Sequence, residues 1–128
     1  MSRLLGRWGE ERAAEYLRGR GYRILACNWR CRFGEIDIVA REGKTLCFVE
    51  VKLRRGDRYG RAAEQVDRRK RQRLTLAAQA YLEQHPEDCP MRFDVLEVYA
   101  PGGRTDRPPE ILHWKDAFGT DGFFGGIP

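Results

Sequence analysis

Residues 34–52, GEIDIVAREGKTLCFVEVK, contain two β-rich runs, Glu35–Ala40 and Thr45–Lys52, separated by Arg41, Glu42, Gly43 and Lys44. Branched and aromatic residues fill both runs, and the charged, glycine-bearing segment between them predicts a β-hairpin with a four-residue loop. Side chains two apart in a strand share a face, so Glu50 and Lys52 point the same way as Leu46 and Phe48. Pairing Ala40 with Thr45 sets Asp37 opposite Phe48, whereas a two-residue change of register sets it directly opposite Glu50. Either way the two carboxylates are neighbours or diagonal neighbours when their faces agree.

Upstream, residues 5–19 (LGRWGEERAAEYLRG) place Glu10, Ala13, Ala14 and Leu17 at helical spacing, and Gly19 and Gly21 mark the stop. That spacing turns Glu10 toward the core. Tyr22–Asn28 reads as a first strand, followed by a turn through Trp29, Arg30, Cys31 and Arg32. Downstream, residues 53–61 (LRRGDRYGR) form a loop and residues 62–83 a long helix. The helix carries an apolar stripe of Ala63, Val66, Leu74, Ala77 and Tyr81, interrupted by Lys70. Arg92–Tyr99 reads as another strand and residues 111–114 as a short one. The order predicts an α/β fold with a mixed central sheet flanked by helices, the second helix crossing between two parallel strands. Residues 1–118 are expected to form one domain and residues 119–128 a flexible tail.

At 128 residues, with 41% hydrophobic and 34% charged residues, the chain is long enough to bury a core without disulfides or a structural metal. It has no apolar run of membrane-spanning length and no signal-peptide block, so a cytoplasmic protein that does not engage a membrane is expected. Cys27, Cys31, Cys47 and Cys89 are then expected to be thiols. A single C-x-x-x-C pair makes a poor zinc set.

The formal net charge is +5, and its distribution is uneven. From Lys52 to Arg73 there are ten basic residues against three acidic ones, a local net charge of +7, so the rest of the chain is net acidic. Arg54, Arg55, Arg58, Arg61 and Lys70 are the candidates to hold a nucleic-acid backbone. The bland alternative, a solvated helix face, applies to some of Arg68, Arg69, Arg71 and Arg73. Lys70 either snorkels to solvent or reaches the acidic cluster or a phosphate.

Two carboxylates held close on a mostly apolar hairpin repel unless a proton or a cation intervenes. Mg²⁺ or Mn²⁺ suits an all-oxygen set, with Asp37 and Glu50 as ligands and Glu10 as a third. Lys52 is placed to orient or activate an attacking water and to stabilise charge on a phosphate. By spacing alone, Asp37, Glu50 and Lys52 also fit a structural cross-strand ion-pair cluster. Neither of the two histidines lies in a metal-ligand pattern, and no P-loop, G-x-S-x-G or dinucleotide motif occurs.

Asp37, twelve residues, then Glu50-Val51-Lys52 resembles the D…(D/E)-x-K pattern of the restriction-endonuclease-like nuclease superfamily. GRWGEERAAEYL, RGYRILACNWR, GEIDIVAREG, FVEVKLR and MRFDVLEV, in this order, resemble the YraN family of bacterial proteins, itself similar to Holliday-junction resolvases. The resemblance spans about residues 6–118. It implies a restriction-endonuclease-like α-β-β-β-α-β core, with Glu10, Asp37, Glu50 and Lys52 on the positions that bind metal and carry hydrolysis. Leu53 stands where the family often has Thr. The implied activity is Mg²⁺- or Mn²⁺-dependent cleavage of DNA, branched or otherwise structured. Resolvase likeness also points to a homodimer. A non-catalytic nucleic-acid-binding module with the same fold is the alternative, and an RNA substrate a third. Glu35 is either an outer carboxylate of the site or a partner for a nearby arginine, and Asp94 a structural hydrogen-bonding residue near the second helix.

Overall fold

The computed structural model describes residues 3–55 and 68–118. Arg58, Arg61, the expected start of the second helix (62–67) and the tail (119–128) lie outside the described residues. Helix α1 spans Arg3–Gly19, followed by strands β1 (Arg23–Cys31), β2 (Gly34–Glu42) and β3 (Thr45–Arg54). Helix α2 (Arg68–Gln84), β4 (Met91–Tyr99), a 3₁₀ turn at Pro101–Gly103 and β5 (Glu110–Phe118) complete the described chain. The α-β-β-β-α-β order is present.

The five strands form one mixed sheet in sequence order, antiparallel except for β3 and β4. Parallel neighbours need a crossover, and α2 lies within the one joining β3 to β4. Leu74, Ala77 and Tyr81 of α2 pack with Phe48, Phe93 and Val95, whereas Ala13, Ala14 and Leu17 of α1 pack with Val49, Leu96 and Val98. Alternation along β3 and β4 thus feeds two cores. Each fully buried Phe or Leu contributes roughly 1.5–3 kcal/mol. The stop of α1 needs Gly21, whose φ of 87° is left-handed while its N–H donates to the Arg18 carbonyl.

Three expectations change. The hairpin loop is two residues, Gly43 and Lys44, because Glu42 pairs with Thr45 and Gly43 takes φ 58°. Ala40 therefore pairs with Cys47, two residues from the Thr45 pairing considered above. The supposed turn at residues 29–31 belongs to β1, where Trp29 pairs with Ile36 and Cys31 with Gly34. Strand β5 is much longer than the four residues expected, since Phe118 still pairs with Phe93.

Pairing of β2 with β3 runs from Glu42↔Thr45 to Ile38↔Val49 and goes no further. Beyond it, β2 stays with β1 and β3 with β4. The two strands splay into a fork, with Asp37 and Glu50 as the first residues beyond the last pair.

Candidate active site

The fork positions the acidic groups. Asp37 Oδ2 accepts the backbone N–H of Val51 at 2.8 Å, so a carboxylate takes the place of a ladder bond where the strands part. Helix α1 brings Glu10 over the same end of the sheet. One oxygen each from Glu10, Glu35 and Asp37 lie within 4.8 Å of one another. Asn28 of β1 joins them: its amide nitrogen, turned toward the carboxylates, is 2.7 Å from Glu35 Oε1 and 3.2 Å from Glu10 Oε2. Asn28 has φ 53°, which asparagine tolerates better than most residues.

Glu35 has two partners, because Arg30 Nε also donates to its Oε2 at 2.9 Å. The arginine pairing expected of this residue is present, and the same carboxylate also lies beside Glu10 and Asp37.

Glu50 is 8% exposed and tied to two amines. Its Oε1 lies 2.6 Å from Lys70 Nζ and 3.6 Å from Lys52 Nζ. Lys70, the interruption in the α2 stripe, thus reaches the acidic cluster. Glu50 stands beside the trio of Glu10, Glu35 and Asp37, and is not among the oxygens that converge within 4.8 Å.

The electrostatics follow from this crowding. Burial, then the neighbouring Glu50 charge, pushes the Asp37 carboxyl up to about 7 against the bond from Val51. Burial also raises Glu10, with Asn28 opposing and Glu35 and Glu50 adding to the rise. Burial lowers the Lys52 ammonium, and the adjacent Lys70 lowers it further against the pull of Glu50. Lys70 moves up despite burial, because Glu50 bonds to it.

Two recesses open onto the cluster. One of about 550 Å³ is lined by Arg7, Glu10, Asn28, Arg30 and Glu35, and one of about 250 Å³ by Arg7, Glu10, Asn28 and Asp37 among others. Of the expected backbone-holding residues, Arg54 pairs with Glu97 at 3.4 Å and Arg55 accepts the Gly102 N–H through its carbonyl.

Asp94 lies elsewhere than expected. It alternates with Leu96 and Val98 on the α1 face of β4, away from the second helix, and is fully buried. It accepts from Arg92, His113 Nε2 at 2.8 Å and the Asp116 N–H at 3.0 Å. Burial raises its carboxyl, but those bonds outweigh it and hold the group below the usual range.

Sequence reading passed over Asn28 and Glu97. An asparagine at the end of a strand is compatible with positive φ, the one signal Asn28 offered.

Residues 9–98 match the model of the uncharacterised protein family UPF0102. A UPF0102 protein of Symbiobacterium thermophilum is 52% identical over 106 residues, covering 81% of this chain and 90% of that one. One from Pelotomaculum thermopropionicum is 45% identical over 117 residues, covering 91% and 96%. One from Nocardia farcinica is 48% identical over 118 residues, covering 89% and 88%. The chain belongs to the UPF0102 family.

Proposed function

We propose that this UPF0102 protein is a metal-dependent phosphodiesterase acting on DNA, with branched or otherwise structured DNA as its substrate. The convergence of Glu10, Glu35 and Asp37 beside Glu50 and Lys52 carries this reading. The donor set is all carboxylate oxygen, which fits Mg²⁺ or Mn²⁺. Ligands of Mg²⁺ at about 2.1 Å lie at most about 4.2 Å apart, so the trio needs only a small side-chain rotation to close on an ion. Glu10, Glu35 and Asp37 would hold the ion, with Glu50 at their edge once its lysines release it.

A bound ion would supply Lewis-acid stabilisation of charge on the phosphoryl oxygen. Lys52 holds an amine next to Glu50 where it can orient the attacking water and stabilise charge on the phosphate. The Val51 amide fixes one Asp37 oxygen, which keeps that carboxylate from swinging to solvent. Arg54, Arg55, Lys70 and the arginines Arg58 and Arg61 attract the sugar-phosphate backbone. The resemblance to junction resolvases adds a homodimer, which would set two such sites on one junction.

One observation favours a second reading. Glu50 is already neutralised by Lys52 and Lys70, as in a non-catalytic module whose acidic cluster is structural. A cleavage panel separates the two. Duplex, single-stranded, flap and four-way-junction DNA, with an RNA arm, are incubated with Mg²⁺ or Mn²⁺ and either the wild-type or the Asp37→Asn protein. Metal-dependent cleavage by the wild type alone is the expected result. Equal cleavage by both proteins, or none by either alongside salt-sensitive binding, overturns the enzymatic reading.

A further inference from the structure

Asn28 is a neutral amide set among the acids at the fork. In the β1–β2 register Cys27 pairs with Ile38 and Trp29 with Ile36, which leaves Asn28 across from Asp37. Its φ of 53° is left-handed, a conformation that costs a branched or bulky residue more than it costs asparagine. With its nitrogen turned in, the amide is 2.7 Å from Glu35 Oε1 and 3.2 and 3.3 Å from the two Glu10 oxygens. One NH₂ group thus spans two carboxylates that would otherwise repel, standing where a cation would stand. That bond opposes the rise of the Glu10 carboxyl that burial and the Glu35 and Glu50 charges produce.

A lysine in this place would neutralise the acids permanently and repel a divalent ion, and an aspartate would add a further negative charge to the crowd. An asparagine does neither. Its terminal torsion joins a tetrahedral to a planar carbon and is roughly two-fold, so half a turn puts Oδ1 where the nitrogen was. Without a cation that orientation sets oxygen against oxygen. With one, it fits: neighbouring ligands of an octahedral Mg²⁺ at about 2.1 Å stand about 3.0 Å apart, and the amide stands 2.7 to 3.3 Å from the carboxylate oxygens. Asn28 is exposed and lines both recesses, so a nitrogen turned outward meets water and its hydrogen bonds are replaced.

Resting on the reading of the protein as metal-dependent, we infer that Asn28 is a two-position ligand of the metal site: its nitrogen bridges Glu10 and Glu35 in the ion-free protein, and its Oδ1 turns in to join them on Mg²⁺ or Mn²⁺. The amide holds the carboxylates together before an ion arrives and adds an oxygen to them afterwards. The swap needs no change in φ or ψ, so the left-handed backbone keeps the side chain aimed at the acids in both positions.

The test uses the full chain and two readouts that need no catalysis. In nuclear magnetic resonance spectra of the ion-free protein, the Asn28 side-chain NH₂ pair, assigned by its absence from Asn28→Asp, should be displaced from the ordinary asparagine position by its bonds to carboxylates. Saturating Mg²⁺ should return the pair toward the ordinary position and speed its exchange with water. By titration calorimetry Asn28→Gly, which keeps the positive φ without strain, should bind Mn²⁺ about tenfold more weakly than wild type. Asn28→Asp, which always presents oxygen, should bind Mn²⁺ at least as tightly as wild type. It should melt several degrees lower than wild type in chelator and regain that loss in Mn²⁺. A wild type that binds Mg²⁺ while its NH₂ pair stays put, or an Asn28→Gly protein that binds Mn²⁺ like wild type, overturns the inference and leaves the metal-dependent reading standing. Failure of the wild type to bind either ion removes both.

Discussion

The carboxylate of Asp37 accepts the Val51 amide at 2.8 Å across the point where β2 and β3 separate. A backbone donor that the partner strand no longer satisfies is satisfied by a side chain instead. The same bond fixes a carboxylate among Glu10, Glu35 and Glu50, where its charge is unwelcome without a cation. A strained electrostatic arrangement is thereby built into the sheet itself.

Asp37→Asn should therefore stabilise the metal-free protein while abolishing cleavage. The amide keeps an oxygen for Val51 and removes a crowded charge. With the folded carboxyl at about 7 against an ordinary 3.8, the folded state holds this proton more tightly, so wild-type stability falls as pH rises from about 4 through 7. The gain is on the order of 2 kcal/mol, or several degrees in Tm, at pH 8 in chelator, and it shrinks toward pH 5. Thermal melts of both proteins at the two pH values check this. Lower stability of the variant at pH 8 would remove the repulsion argument.

Glu35 should matter for metal affinity as much as Glu10 does. Both supply an oxygen to the converging trio, and both receive the Asn28 amide. Glu35→Gln and Glu10→Gln should each weaken Mn²⁺ binding by at least tenfold by titration calorimetry, whereas Glu15→Gln, on the exposed side of α1, should not. Unchanged affinity in Glu35→Gln would leave Glu35 as only the partner of Arg30.

Lys52 and Lys70 share Glu50 but should separate kinetically. Lys52→Ala should lower kcat by about 10²–10³ with little effect on DNA affinity, as expected for a group that stabilises charge developing in the transition state. Lys70→Ala should act mainly on affinity and salt dependence. Single-turnover rates and anisotropy distinguish them. A Lys52→Ala protein of undiminished rate would take the residue out of the chemistry.

The element order and the approach of Glu10, Asp37, Glu50 and Lys52 were legible in the sequence because period-two and period-3.6 patterns decide which side chains share a face. Register was not. Arg41, Glu42 and Thr45 suit a loop or a strand end equally, and only the two-residue turn at Gly43 places Asp37 at the fork opposite Glu50. Glu35 could not be ranked as a member of the trio because the αL backbone of Asn28 that brings it together with Glu10 is a local irregularity of β1. Glu97 drew no reading from the sequence, because the groups that surround it, Arg54 and Trp114, reach it from β3 and β5.

Asp94 gives the pH prediction of opposite sign. It is fully buried and accepts from Arg92, His113 and the Asp116 amide, whose own φ is 52°. Those donors lie on β4 and β5, and His113 in turn meets the Tyr16 hydroxyl of α1 at 3.2 Å. The carboxylate therefore ties the outer strand and the first helix to the sheet. Its folded-state carboxyl lies below the ordinary value, so the stability it contributes is complete above about pH 4 and is lost as pH falls through the folded value. Asp94→Asn should cost about 3–5 kcal/mol at pH 7, since it leaves Arg92 short of a partner in a buried setting. The penalty should narrow in acid, where wild type loses the charge as well. Urea unfolding of both proteins at pH 7 and pH 3 measures this, and a penalty independent of pH would mean that Asp94 contributes shape alone.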